Sequence, residues 1–235
     1  MGMTKPTSDT TNTPITIPNK RVATRDEWLD ARRALLAREK VFTKERDALS
    51  AARRELPMVK VDKRYVFEEP SGKRTLGDLF EGKPQLMIYH FMFDPSWEEG
   101  CKSCSFVADN FERSVVHLAA HDIAFAAISR GPLAKLLAFQ KRMGWTFRWL
   151  SSGETDFNYD YQVSFKPGSA GREYNYRKSE SKGELPGLSV FLRDDKGDIF
   201  HTYSTYGRGL DMLIGTYNYI DLTPLGRHEE SPMAW

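Results

Sequence analysis

QLMIYHFMFDPSWEEGCKSC, residues 85–104, sets an almost unbroken apolar and aromatic run against a close pair of cysteines. Gln85 to Phe93 has the length of a strand and no polar alternation, as expected of a central strand covered on both faces. Beyond the cysteines, Val107, Phe111, Val115 and Leu118 recur at helical spacing. Cys101-Lys102-Ser103-Cys104 therefore sits where a strand has ended and a helix begins. Unpaired N–H groups and the positive dipole end of that helix favour thiolate over thiol at the first sulfur, and Lys102 adds a nearby positive charge. These are the only two cysteines in the chain. A CxxC beside a βαβ pattern, without secretory features, reads first as a redox dithiol, with structural zinc and inert thiols as the alternatives.

Outward from this stretch, Ile123 to Ser129 reads as another buried strand. Pro132 to Met143 reads as a helix whose proline suits the first turn. Upstream, short β-rich pieces at Val59 to Val61 and Tyr65 to Phe67 flank the turn-forming Pro70-Ser71-Gly72-Lys73. Downstream, Leu188 to Leu192 and Asp198 to Tyr203 flank Arg193-Asp194-Asp195-Lys196-Gly197 as a hairpin, and Leu210 to Tyr219 reads as a closing helix. Parallel units followed by an antiparallel hairpin make an α/β fold, a mixed sheet with helices on both faces.

The N-terminal part has another texture. Residues 1–23 hold too few large apolar groups to offset ordering entropy and read as a disordered tail. Thr24-Arg25-Asp26-Glu27 has capping-box form, and Trp28, Leu35, Phe42, Leu49 and Leu56 follow at sevens until Pro57. This is a long amphipathic helix over residues 24–57, its stripe widened by Leu29 and Leu36. The stripe must pack on something. Its own domain is the expected partner, and a homodimer contact is the alternative.

With 235 residues, 40% of them hydrophobic, the chain can bury one sizeable core. Its 34 basic and 32 acidic residues leave a net charge of only +2, so nothing global points to nucleic acid or an anionic membrane. Met1 to Lys20 lacks the apolar core of a signal peptide and no run reaches transmembrane length, so a reducing cytoplasm is the expected setting. Pro6 stands where a myristoylation motif needs Ser or Thr.

Two other constellations compete with the dithiol. Cys101-x2-Cys104-x12-His117-x3-His121 has zinc-finger spacing. If one helix ran from Cys104 through His121, however, it would hold His117 roughly 20 Å from Cys104, at ~1.5 Å per residue. Ala108 and Ser114 also stand where a finger needs large apolar groups, so no metal is expected. Trp145, Phe147, Trp149, Phe157, Tyr159, Tyr161 and Phe165 are suited to lining a ligand cleft. Core packing is the simpler reading, and the alternation at 145, 147, 149 and at 157, 159, 161 suggests extended segments. Trp97 lies in the loop before Cys101, either lining the site or plugging the loop down. Arg177, Lys178 and Lys182 read as a solvated loop.

Gly82-Lys83-Pro84 ahead of the first strand, the loop Asp94-Pro95-Ser96-Trp97-Glu98-Glu99-Gly100-Cys101, and Ile128-Ser129-Arg130 opening a helix that ends near Met143-Gly144-Trp145 together resemble the peroxiredoxin and thioredoxin-like class. More closely, the chain resembles the bacterial thioredoxin-like proteins of domain-of-unknown-function family 899. That likeness lies in Trp28 to Leu56, Gly100 to Asn110, Arg142 to Leu150, Asp156 to Phe165 and Gly209 to Gly226. The resemblance implies a thioredoxin-like domain over residues 58–222 and a C-terminal tail over 223–235.

It also implies thiol–disulfide chemistry with Cys101 attacking, Cys104 resolving and no cofactor. Lys102 and Ser103 would support the thiolate, Trp97 would line the site, and a cis-proline would face the dithiol, for which Pro186 is the candidate. Two departures demote peroxidase activity. Glu98 stands three residues before Cys101 where a peroxiredoxin carries Thr or Ser. Leu188-Ser189 begins the strand where such enzymes place an arginine, leaving Arg130 as a weak substitute. The expected partners are a protein or small-molecule disulfide and an electron donor. The reading from a different class is a non-catalytic binding scaffold.

Overall fold

Thr24 opens the longest helix of the computed structural model, α1 (Arg25–Arg54). Its hydroxyl accepts the Glu27 N–H at 3.3 Å while its own N–H donates to the Glu27 carboxylate at 2.9 Å, so the capping box forms as the sequence requires. The structure describes residues 20–229 apart from 167 and 169–171, and most of the tail expected over 1–23 lies outside them, as does the end of the segment from 223. α1 departs from expectation in its packing. No residue of the helix is buried, and Trp28, Leu35, Phe42, Leu49 and Leu56 all stay exposed, Phe42 at 70%. Its Arg53 guanidinium lies 5.7 Å from the Tyr203 ring, and Phe42 and Leu49 line an open groove with Met212 and Leu213.

Chain order continues through β1 (Val59–Lys60), β2 (Val66–Glu69), β3 (Gly72–Thr75) and β4 (Gln85–His90). The next elements are α2 (Lys102–Phe111), α3 (Val115–Ala120), β5 (Ile123–Ser129), α4 (Leu133–Met143), β6 (Trp149–Ser151) and α5 (Phe157–Asp160). Short pairs follow at β7 (Ser164–Phe165), β8 (Glu173–Tyr174), β9 (Arg177–Lys178) and β10 (Gly183–Glu184), then β11 (Gly187–Arg193), β12 (Ile199–Tyr206) and α6 (Gly215–Ile220). The main sheet has eight strands in the order β1-β12-β11-β4-β5-β6-β2-β3. β4, β5 and β6 run parallel, as their intervening helices demand, while β11 and β12 return antiparallel through a hairpin. Asp194 Oδ1 accepts the N–H groups of Lys196 and Asp198 across that hairpin, and Gly197 takes φ 88°, a left-handed conformation that favours glycine.

β4 is the centre of the molecule, and its alternate residues feed two cores. Tyr89 and Phe91 pack with Cys104, Val107, Ala108 and Phe111 of α2, with Leu136 and Phe139 of α4, and with Leu210, Ile214 and Tyr217 near the C-terminal end. Leu86 and Ile88 pack on the opposite side with Phe67, Phe80, Phe157, Tyr161 and Phe191. His90 is buried on this second side, where desolvation brings its imidazole down to about 3 and keeps it neutral. Its Nε2 bonds Ser189 at 2.8 Å, and Ser204 continues the chain of hydrogen bonds to His201.

Four sequence expectations are corrected here. The first strand stops at His90, because Phe91 to Phe93 already turn toward the cysteine loop. The helix after the cysteines breaks between Phe111 and Val115, so one straight helix does not separate Cys104 from His117. Phe157, Tyr159 and Tyr161 belong to a helical turn, not an extended segment. Leu210 to Tyr219 divides into a 3-10 turn, Gly207–Leu213, and α6. His117 and His121 are exposed. Among the described residues no group of three or more His, Cys, Asp or Glu side chains is placed to hold a metal ion.

Candidate functional site

The strand before the cysteines and the helix after them clamp each other through two backbone contacts. Cys101 N–H donates to the Met92 carbonyl at 3.2 Å, and Met92 N–H donates to Cys104 Sγ at 3.4 Å. Gly100 lets the loop descend between the two. A Cβ there would lie 2.8 Å from the Phe91 ring and 2.9 Å from the Phe139 ring. Both cysteines are free thiols with different surroundings: Cys101 is half-buried, whereas Cys104 is 1% exposed within the core face of α2.

That difference sets their acidities apart. The Cys101 thiol is brought down to about 6, foremost by the Cys104 S–H donating to it. Burial opposes this, and the N–H groups of Cys104 and Ser103 and the Ser103 hydroxyl add to it. Cys101 is the N-cap of α2 and makes no cap bond of normal geometry, so these N–H groups act on the sulfur as oriented dipoles. Cys104 is pushed well above 9.0, first by desolvation, then by its hydrogen bond to Cys101 and the Cys101 charge. Lys102 is exposed, and Glu99 is lowered first by Arg142 and only weakly by Lys102.

The loop from Asp94 to Gly100 is tied down by α4. Lys135 Nζ donates to the Trp97 carbonyl at 3.0 Å and to the Glu98 carboxylate at 2.8 Å, and Arg142 bonds Glu99 at 2.5 Å. Trp97 is 37% exposed on this loop. Arg130 is committed elsewhere. Its Nη1 bonds Glu184 at 2.8 Å, with Asp94 at 3.9 Å and the Tyr159 ring 4.8 Å from its guanidinium carbon. Pro186 is trans, there being no cis peptide bond among the described residues. Its carbonyl accepts the Tyr174 hydroxyl at 2.7 Å, and that hydroxyl accepts the Gly207 N–H at 2.9 Å.

Trp145, Phe147, Trp149, Phe157 and Tyr161 are core residues, whereas Tyr159 lies beneath the cations of Arg130 and Lys166. Three neighbours of the sulfurs escaped the sequence reading. The Met92 N–H bonds Cys104, and the hydroxyls of Tyr89 and Tyr174 are raised first by burial and then by the nearby Cys104 charge. Counting back by twos from Phe91 would have found Tyr89. Nothing local marks Tyr174, which arrives on the β8–β9 hairpin with its ring edge on Tyr206.

A parallel β4-α2-β5-α4 unit, a returning β11–β12 hairpin and a final helix, with the sulfur pair opening α2, define the thioredoxin-like class of fold. Within that class the chain belongs to the bacterial family of proteins of unknown function DUF899, which it matches over residues 17–235. Curated protein sequences give no match. Among solved structures, the chain is similar to the peroxidoxin BcpB of Mycobacterium tuberculosis, with 14% identity over 70% of this chain and 97% of that one and a TM-score of 0.46. A peroxiredoxin Q variant of Xanthomonas campestris gives 14% identity, 70% and 96% coverage and a TM-score of 0.46. A putative thiol:disulfide interchange protein DsbE of Chlorobium tepidum gives 12%, 69% and 98%, and 0.43.

Proposed function

We propose that this protein is a thiol–disulfide oxidoreductase in which Cys101 attacks a protein or small-molecule disulfide and Cys104 resolves the adduct. The observation that carries this reading is the inequality of the two sulfurs: an accessible thiol brought down to about 6 beside a buried one pushed well above 9.0. The Cys101 thiolate cleaves the substrate S–S bond, forming a mixed disulfide and releasing one substrate thiol. Cys104 then displaces the second substrate sulfur, which leaves as a thiol with the proton Cys104 gave up, and Cys101 and Cys104 are left joined as a disulfide. A separate donor reduces that disulfide, and a reducing cytoplasm is the setting that suits the cycle. Peroxidase chemistry is less well supported, because Glu98, exposed and held by Lys135, stands where a hydroxyl would be needed.

The pH dependence of alkylation tests the inequality. At pH 7 a thiol of pKa about 6 is roughly thirtyfold richer in thiolate than a free one of about 8.5. Its lower nucleophilicity returns about tenfold of that, so the midpoint of the profile is a cleaner readout than the absolute rate. Modification of Cys101 with a midpoint near 6, and slow modification of Cys104, is the expected result. Equal rates at both cysteines, with the profile of a free thiol, would sink the redox reading and leave the binding scaffold.

The exposed stripe of α1 supports a second element of the proposal, a homodimer through this helix. A helix of 30 residues is about 45 Å long. Its exposed row of large apolar side chains runs the length of the helix, and a standard interface buries about 800 Å² per partner. Sedimentation of the full chain should give a dimer that Phe42→Glu together with Leu49→Glu converts to monomer. A wild-type monomer at micromolar concentration would remove α1 from the assembly role.

A further inference from the structure

Tyr89 presents a buried hydroxyl to the Cys104 sulfur. The ring is fully buried one residue before the end of β4, packed edge-on against Phe91 and Phe111, and its hydroxyl lies toward the Cys104 sulfur without making a hydrogen bond of normal geometry. A phenylalanine would fill the same space without that unmet donor, whose burial disfavours folding. The titratable groups around the hydroxyl are the sulfurs, Cys104 foremost and then Cys101, with the Tyr174 hydroxyl beyond them.

In the reduced protein Cys104 cannot satisfy Tyr89 well. Its proton is directed at Cys101, and its sulfur already takes the Met92 N–H at 3.4 Å. Once Cys101 is locked in a mixed disulfide, that arrangement ends. Cys104 must then develop negative charge in a site that excludes water, where an unpaired anion is strongly disfavoured. The fold supplies two donors toward that sulfur from β4 and its end, one main-chain and one phenolic.

We infer that the Tyr89 hydroxyl is the side-chain hydrogen-bond donor that stabilises the Cys104 thiolate during resolution. The inference rests on the oxidoreductase reading. In this step the Cys104 S–H proton passes to the departing substrate sulfur, the Cys104 sulfur forms a bond to Cys101, and the Cys101–substrate S–S bond breaks. Tyr89 keeps its proton throughout. Burial and the neighbouring sulfurs hold its hydroxyl well above its ordinary value, which suits a donor and not a base.

Tyr89→Phe separates this role from packing, since it removes one oxygen and keeps the ring. With an aromatic disulfide such as 5,5′-dithiobis(2-nitrobenzoate), the first half-reaction at Cys101 should proceed at the wild-type rate. Resolution should slow by about tenfold or more, the scale of one hydrogen bond to a charged group, and its pH profile should move upward. Thermal stability should be unchanged or improved, whereas a purely structural hydroxyl would lower it and leave the resolution profile in place. Wild-type resolution kinetics in Tyr89→Phe would overturn the inference.

A second readout does not depend on turnover. In Cys101→Ser, the titration of Cys104 followed by its 13Cβ shift should move to higher pH when Tyr89→Phe is added, and an unmoved titration likewise overturns the inference. If wild type forms no mixed disulfide at all while that titration does move, the oxidoreductase reading fails and takes the resolving role with it. The Tyr89–Cys104 contact itself would stand.

Discussion

A Cys104→Ser variant given a disulfide substrate is expected to end as a covalent adduct through Cys101, while Cys101→Ser is expected to exchange nothing measurable. The two outcomes differ because the sulfurs do. In Cys104→Ser the Cys101 thiol keeps the backbone dipoles of residues 103 and 104, and the new hydroxyl stands in for the Cys104 S–H that is the largest influence on it. Its profile should therefore stay below that of an ordinary thiol, and adduct formation should continue. Nothing is left to resolve the adduct, so it should persist until an external reductant is added. In Cys101→Ser the remaining sulfur is 1% exposed and held well above 9.0, so its thiolate is scarce at pH 7. Exchange should fall by at least about a hundredfold, from thiolate fraction alone. Intact-protein mass spectrometry before and after reductant reads both results. An adduct that forms equally on either single-cysteine variant would contradict the assignment of attacking and resolving roles.

Arg130→Ala should produce the largest loss of stability of any single change considered for this chain. Glu184 has a side chain only 1% exposed, and its oxygens are met by Arg130 Nη1 at 2.8 Å and the Ser164 hydroxyl at 2.7 Å. Even with the guanidinium in place, desolvation holds the Glu184 carboxyl above its ordinary 4.5. Removing Arg130 leaves a buried carboxylate without a counter-charge, a change that costs about 3–5 kcal/mol. That is a large share of the roughly 5–15 kcal/mol by which a domain is stable.

The sign of the pH dependence follows from the raised carboxyl. The folded variant would take up a proton at a pH where the unfolded chain, near 4.5, has released it. The deficit should therefore be greatest at neutral pH and shrink as pH falls through the folded-state value. Urea denaturation at pH 7 and pH 5 measures this, and adding Glu184→Gln to Arg130→Ala should recover part of the loss. A deficit below about 1 kcal/mol that does not vary with pH would show that this pair is solvated.

Both predictions rest on contacts of very different legibility. Cys101, Cys104 and Ser103 could be assigned from the chain, because an apolar run ending in a CxxC before a helical pattern fixes them at a strand end and a helix start. The Gln85 and Ile123 strands, the Pro132 helix and the Arg193 to Gly197 turn were legible for the same reason: their periods and turn chemistry are local. So was the Thr24 capping box, whose partners are three residues apart.

The sequence by itself thus determined the mixed α/β order, the position of the dithiol and the amphipathic character of α1. Tertiary structure alone decided where the long and polar side chains ended. Arg130 meets Glu184 across 54 residues, Lys135 reaches back 38 residues to the Trp97 carbonyl, and Tyr174 closes on Pro186 from a separate hairpin. Lys102, read as the cation beside Cys101, is exposed to solvent, and the α1 stripe stays exposed among the described residues. Hydrophobic periodicity reports which face of an element is buried, and that is a property of neighbouring residues. Which polar group then meets which depends on how the layers stack and which rotamers their packing leaves open.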